Sequence, residues 1–192
     1  MQPMHSRPNS PPQQTKSSAI DNSASIDVYV FMMDKYFLCK QVLERLGQNL
    51  FQIEQAARQA HETAIHKENI AENKYDTLGL EAAYLASGQA RRADAIRQTI
   101  HTWQHFHPQP HNADKGIDLG AVIRLINQNK QHQTIFLGPI GGSMQLVCET
   151  EIVQVISTET PLAKAMLGKF EGDEISIEIN HKRQDFEILS IQ

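Results

Sequence analysis

Four carboxylates, Glu68, Glu72, Asp76 and Glu81, fall within one short stretch of the chain, with Lys67 and Lys74 as local counter-charges. Carboxylate oxygens are the ligands a hard divalent cation such as magnesium prefers. Magnesium usually takes only one or two from a protein and completes its shell with water or phosphate. The four acids therefore make no metal cage by themselves. They serve equally well to solvate an exposed turn and to place negative charge at a helix start, where the macrodipole favours it. The segments on either side must decide between these readings.

Before the acids, Cys39, Leu43, Leu46, Leu50, Ile53, Ala57, Ala60 and Ala64 recur in alternating steps of four and three residues, a heptad seam. One helix from about Asp34 to about Asn73 would be roughly 60 Å long at 1.5 Å per residue, and such a helix needs a partner. After the acids, Ala82, Leu85, Ala86, Ala93, Ile96, Ile100 and Trp103 have compatible spacing between about Leu78 and Phe106. The seam changes from Leu and Ile to Ala toward the acids, which lets two backbones approach there. Asp76 and Thr77 are candidate caps for a returning helix. An antiparallel hairpin with the acids at its tip is expected. A single long helix in a parallel dimer remains the alternative, because heptads do not specify partner or orientation.

The rest of the chain divides by composition. Residues 1–33 are read as a disordered extension, since the Pro, Ser, Gln and Asn that dominate its first 26 residues cannot bury enough apolar surface to offset ordering. Met33 is a second candidate start. The hairpin is assigned to 34–107 and a linker to 108–116, where Pro108 and Pro110 disfavour helix and strand. Strand-type runs follow at Ile117 to Ile126, Thr134 to Leu137, Met144 to Cys148, Glu151 to Ile156, Glu174 to Ile179 and Phe186 to Ile191. One short helix interrupts them, with Thr160 as cap, Pro161 at its first position and Gly168 as its left-handed close. Leu162, Ala165, Met166 and Leu167 are expected to face the sheet. The fold class is α+β: an N-terminal antiparallel coiled-coil hairpin and a small β-rich domain over 117–192.

Bulk properties narrow the function. At 192 residues, 40% hydrophobic and a net charge of −4, the chain lacks the clustered Lys and Arg that grip duplex nucleic acid, so a protein partner is favoured. No apolar run approaches the ~20 residues of a membrane span and no secretory start is present, which reads as cytoplasmic. Cys39 and Cys148 suggest neither a disulfide framework nor a zinc site and are expected to be buried. Arg91, Arg92 and Arg97 could meet an acidic surface or nucleic acid, or simply be solvated. His61 and His66 are poorly spaced for one helical face. His101, His105, His107 and His111 form a looser cluster near the linker. Gly138 to Gly142 lack the Lys-Ser/Thr of a phosphate loop and read as a turn.

The run Thr160-Pro161-Leu162-Ala163-Lys164-Ala165-Met166-Leu167-Gly168-Lys169, then Glu171-Gly172-Asp173-Glu174-Ile175 and Phe186-Glu187-Ile188, resembles the C-terminal signature of the Gre transcription elongation factors. The likeness is close over Glu151 to Ile191, and the hairpin agrees in architecture and in Asp76, Glu81, Ala82 and Tyr84. It implies a C-terminal domain of FKBP-like fold at the rim of the RNA polymerase secondary channel, with the coiled coil inside the channel. Asp76 and Glu81 would then assist catalysis and help hold magnesium shared with polymerase, which hydrolyses the RNA of a backtracked complex. The chain would be a monomeric accessory factor, not itself an enzyme. It would have no cofactor of its own, no membrane contact, and nucleic acid nearby only within the transcription complex. One departure stands out: the family usually carries Asp and Glu three residues apart, whereas position 79 is glycine and Glu81 lies five residues after Asp76. A secondary-channel regulator without cleavage is therefore a second reading. A prolyl isomerase or chaperone, with Phe136, Phe170 and Phe186 as available aromatics, is a third.

Overall fold

A computed structural model describes residues 33–65, 78–141, 143–148 and 151–192. Contacts divide the chain into Met1–Met32 and Met33–Gln192, and the first of these lies outside the described residues. Two helices open the described part: α1, Lys35–Ile65, and α2, Leu78–His105. Asp34 starts α1, its carboxylate accepting the Tyr36 N–H at 2.9 Å. The helices pair along their length within the one chain. The reach expected of the first helix, to about Asn73, passes into 66–77, outside the described residues.

The buried seam differs in detail from the expected one. On α1, Leu38, Cys39, Val42, Leu46 and Ala60 are buried, while Leu43, Leu50, Ile53 and Ala57 are half-buried. Val42 takes the place expected for Leu43, which flanks the contact. On α2 the inward positions are Ala82, Ala86, Gln89, Ala93, Ile96, Ile100 and Trp103, again in steps of four and three. Leu85, one residue off this stripe, is 56% exposed. Since a helix turns about 100° per residue, a one-position offset moves a side chain from seam to flank.

The six strands are β1 (Val122–Asn127), β2 (His132–Gly138), β3 (Met144–Cys148), β4 (Glu151–Ser157), β5 (Glu174–Ile179) and β6 (Lys182–Ile191), and α3 is Pro161–Met166. They form one mixed sheet in the order β3-β4-β2-β1-β6-β5, in which β2 and β4 are the parallel pair. The α+β class is as expected. One sheet face carries Ile123, Leu125, Ile135, Leu137, Ile156, Ile175, Ile177 and Ile188, which pack with Ala163 and Met166 of α3 into the main core. Leu162 and Ala165 pack at its margin, and Leu167, expected to face the sheet, is 40% exposed.

Two strand boundaries differ from expectation. Residues 117–121 make a turn instead of a strand start, because Ile117 is engaged by the end of α3: its N–H donates to Lys169 O and its carbonyl accepts from Gly168 N, each at 2.8 Å. Strand β6 begins at Lys182, before the expected Phe186. Asn180 and His181, both at positive φ (51° and 60°), form a two-residue turn that pairs Ile179 with Lys182. The polar residues 182–185 then lie on an exposed ribbon, without apolar alternation to announce a strand.

The signature run is a set of backbone closures. Thr160 Oγ1 accepts the Ala163 N–H at 3.2 Å, Pro161 follows at the first turn, and Gly168 stands at φ +73°. Asp173 Oδ2 accepts the Phe170 N–H at 2.9 Å, and Gly172 N donates to Ile188 O at 2.8 Å, turning the chain into β5. Replacing Thr160 with alanine removes the α3 cap, and an urea titration should show a loss of about 1 kcal/mol.

At the hairpin base, the Cys39 thiol is 7% exposed and its pKa is pushed up from 9.0 to about 11, by burial first and the Asp34 charge second. The folded state therefore holds the thiol proton more tightly than the unfolded chain does. That contribution to stability is complete below 9.0 and is lost as pH rises toward about 11. Urea midpoints measured across this window should fall more for the native chain than for Cys39→Ala.

Candidate functional site

At the far end of the hairpin, Glu81 sits exposed in the first turn of α2, where the helix dipole favours a carboxylate. Asp76, its expected partner, lies outside the described residues, as do Glu68, Glu72, Lys67, Lys74 and His66. Among the described residues no group of three or more His, Cys, Asp or Glu side chains could hold a metal ion. Glu81 offers acceptor oxygens, which hold a hard divalent cation only together with ligands supplied from elsewhere.

The same half of the hairpin is apolar on its outside. Ile65, Leu80, Tyr84 and Leu85 are exposed by 56–70%. Inside, Ala60, Ala82, Ala86 and Ala93 keep the two backbones close. The result is a slender rod end with large apolar side chains beside a carboxylate, the kind of surface that a partner covers. Leu85 is a seam position by spacing, yet it faces outward, as Tyr84 does.

Nearer the base, Arg97 is engaged within the hairpin. Its Nη2 meets Glu54 Oε1 across the helices and its Nη1 meets Asp94 Oδ1, each at 2.5 Å. The Glu54 hydrogen bond is the largest cause of its raised pKa. Arg91 reaches Ser87 at 3.4 Å, and both Arg91 and Arg92 are exposed. Among the histidines, His101 and His105 lie with ring centroids 4.4 Å apart, and His105 Nδ1 and His107 Nδ1 contact the backbone carbonyls of His101 and His105. These are local helix-end contacts.

The hairpin meets the sheet at Trp103, which is 2% exposed. Its Nε1–H donates to Ile140 O at 3.0 Å, and its ring packs edge-on against Phe106 at 5.6 Å and tilted against Phe136 at 6.0 Å. Gly138, the last residue of β2, leaves room for the indole: a methyl there would stand 2.5 Å from Cη2 and nearer still to Cζ2. The seam pattern assigned Trp103 to helix pairing, and nothing in its spacing marked this second engagement.

Two further ties hold the start of α1. Lys35 Nζ donates to Gln109 O at 2.8 Å; burial lowers the pKa of this amine, with the Asp118 charge opposing. Met33 N–H donates to Gln192 Oε1 at 2.9 Å, and Gln192 Nε2 donates to Met33 O at 2.8 Å.

Residues 112–192 match the family described as transcription elongation factor, GreA/GreB, C-terminal. The transcription elongation factor GreA of Helicobacter hepaticus is 32% identical over 82 residues; this chain spans only 45% of that relative's length, and the match takes in 43% of this chain. GreA of Ureaplasma urealyticum is 27% identical over 150 residues, covering 76% of this chain and 90% of the relative. Among solved structures, GreA factor homolog 1 (Gfh1) of Thermus thermophilus is 20% identical, covering 78% of this chain and 94% of that one at a TM-score of 0.33. Among the described residues no helix is long and apolar enough to cross a membrane. Over residues 112–192 the chain is thus similar to the C-terminal domain of the GreA/GreB transcription elongation factors.

Proposed function

We propose that this chain binds RNA polymerase with the β-rich domain at the rim of the secondary channel and the hairpin inside it, so that Asp76 and Glu81 reach the active centre. The observation that carries this reading is a two-helix rod seated on a GreA/GreB-type domain. A helix of 31 residues, as α1 is, spans roughly 45 Å, long enough to reach a catalytic centre recessed in a large enzyme. The chain is then an accessory factor, and the chemistry belongs to polymerase. A magnesium ion shared at the tip would stabilise the attacking and leaving oxygens of phosphodiester hydrolysis. Asp76 and Glu81 contribute acceptor oxygens and orient water, and the narrow alanine seam keeps the rod slender.

The spacing at the tip favours a second reading, a channel regulator without cleavage. Along a helix, side chains three residues apart lie about 60° apart in projection, whereas five residues separate them by about 140°. The chain has Asp76 and Glu81 five apart, with Gly79 where an acid would complete the closer pair. An isomerase reading has less support. Phe136 is buried beneath Trp103, Phe186 is buried in the core on the α3 side, and Phe170 is 45% exposed, so these three do not line one pocket.

Association with the cognate polymerase at low salt is the first test, and failure to bind overturns both channel readings. The second uses a stalled, backtracked complex with labelled RNA. Cleavage should rise on adding the chain and fall by at least about tenfold with Asp76→Ala, if a positioned carboxylate contributes as such groups usually do. Binding without any rise in cleavage would select the regulator.

A further inference from the structure

We propose that Trp103 is a positioning residue whose indole, seated in the notch at Gly138, sets the direction in which the hairpin leaves the β-rich domain. The inference rests on the reading above only for what lies at the tip; the latch itself rests on the junction.

Gly138 closes β2 and is not among the positive-φ residues of the chain, so its backbone does not require glycine. What requires glycine is the space taken by Trp103. The indole is constrained from several directions at once. Ile140 O takes its N–H, Phe136 and Phe106 border the ring, and Val155 Cγ1 would lie 3.5 Å from a methyl at Gly138, closing the notch from the neighbouring strand. Among these contacts a flat ring with one donor has little freedom to tilt.

The polar ties at the base are of a different kind. Lys35 with Gln109 and Met33 with Gln192 hold the chain entry through single side chains on flexible stems, which tether without setting an angle. The Trp103 wedge adds a rigid contact on the returning helix. From Trp103 to Leu78 the helix runs 25 residues, or about 37 Å, so a tilt of about 10° at the base would carry the start of α2 sideways by roughly 6 Å. Misplacement by about 1 Å can already cost a positioned group on the order of 100-fold.

Gly138→Ala is the direct probe, because it adds one methyl and leaves the strand backbone an ordinary residue. Spin labels on cysteines introduced at Ala83 and Asn129, in a Cys39→Ala, Cys148→Ala background, report the angle between hairpin and sheet. The unaltered junction should give one narrow distance distribution. Gly138→Ala should broaden or shift it, and the emission of Trp103, the only tryptophan in the chain, should move to longer wavelength as the ring leaves its seat. Adding Trp103→Phe to Gly138→Ala should restore the narrow distribution, since the phenyl ring lacks the outer indole carbons that meet the methyl. On polymerase, Gly138→Ala should keep affinity within about threefold while its effect at the active centre falls by about tenfold or more.

An unchanged distance distribution in Gly138→Ala, with Trp103 emission shifted, overturns the proposal. If Gly138→Ala does not fold, Trp103→Phe alone decides. A broadened distribution with intact circular dichroism supports the latch, and an unchanged one overturns it. If the chain does not bind polymerase at all, the functional reading fails, and the label distances still decide whether Trp103 sets the angle.

Discussion

An indole can occupy the place of a missing side chain only while two separate segments keep their registers. Trp103 must lie on the inner stripe of α2, and Gly138 must end β2 beside Val155 of β4. Burying a tryptophan removes about 150–250 Å² from water, on the order of 4–6 kcal/mol, an upper estimate because the unfolded chain already hides some of that area. The same contact needs no unusual backbone angle. It is a constraint of volume, and it ties the two halves of the described chain into one body. Beside it the Pro108 segment, the Lys35 and Met33 hydrogen bonds and the packing of Phe106 against Gly120 also join the two.

The strength of each signal in the sequence followed the physics that produced it. The hairpin was legible because a helix that pairs over its length must repeat an apolar side chain every three or four residues. The short helix α3 was legible because Thr160, Pro161 and Gly168 each have a backbone job that few residues can do. What could not be read was the orientation of residues next to a stripe. Val42 and Leu43 are both good seam residues, and the choice between them depends on the rotation of α1 against α2. Leu85 looked like seam for the same reason. The start of β1 was obscured because Ile117 pairs with Lys169, a contact across more than fifty residues that no local pattern encodes. Trp103 was placed on the correct helix and on the correct stripe, but the strand that receives it is found only in three dimensions.

The residues carrying the family resemblance are structural. Thr160 caps, Gly168 turns, Lys169 pairs through its backbone with Ile117, and Asp173 closes the turn before β5. Thr160 and Asp173 act through side chains and Gly168 and Lys169 through the backbone, all within the domain, so the run specifies the domain and is silent on the reaction at the tip. That separation explains why the C-terminal domain is identified readily while the activity is not. A chain can keep every one of these closures and change what the hairpin does.

The hairpin surface points the same way. Arg97 is self-satisfied, bound to Glu54 across the helices and to Asp94 along its own. Exposed ion pairs of this kind add little to stability, typically under about 1 kcal/mol, but they remove the charge from any contest for an outside partner. Toward the tip the pattern reverses: Ile65, Leu80, Tyr84 and Leu85 are exposed beside Glu81. Apolar side chains held outward on a narrow rod cost solubility unless something covers them. Their placement gives Glu81 an apolar flank, while Tyr36, Phe37 and Phe51 are exposed along the rest of α1. For the activity, then, the informative comparison is between a tip with its carboxylates altered and a tip with its apolar flank altered. The first tests chemistry, the second tests contact with a partner, and either can be lost without the other.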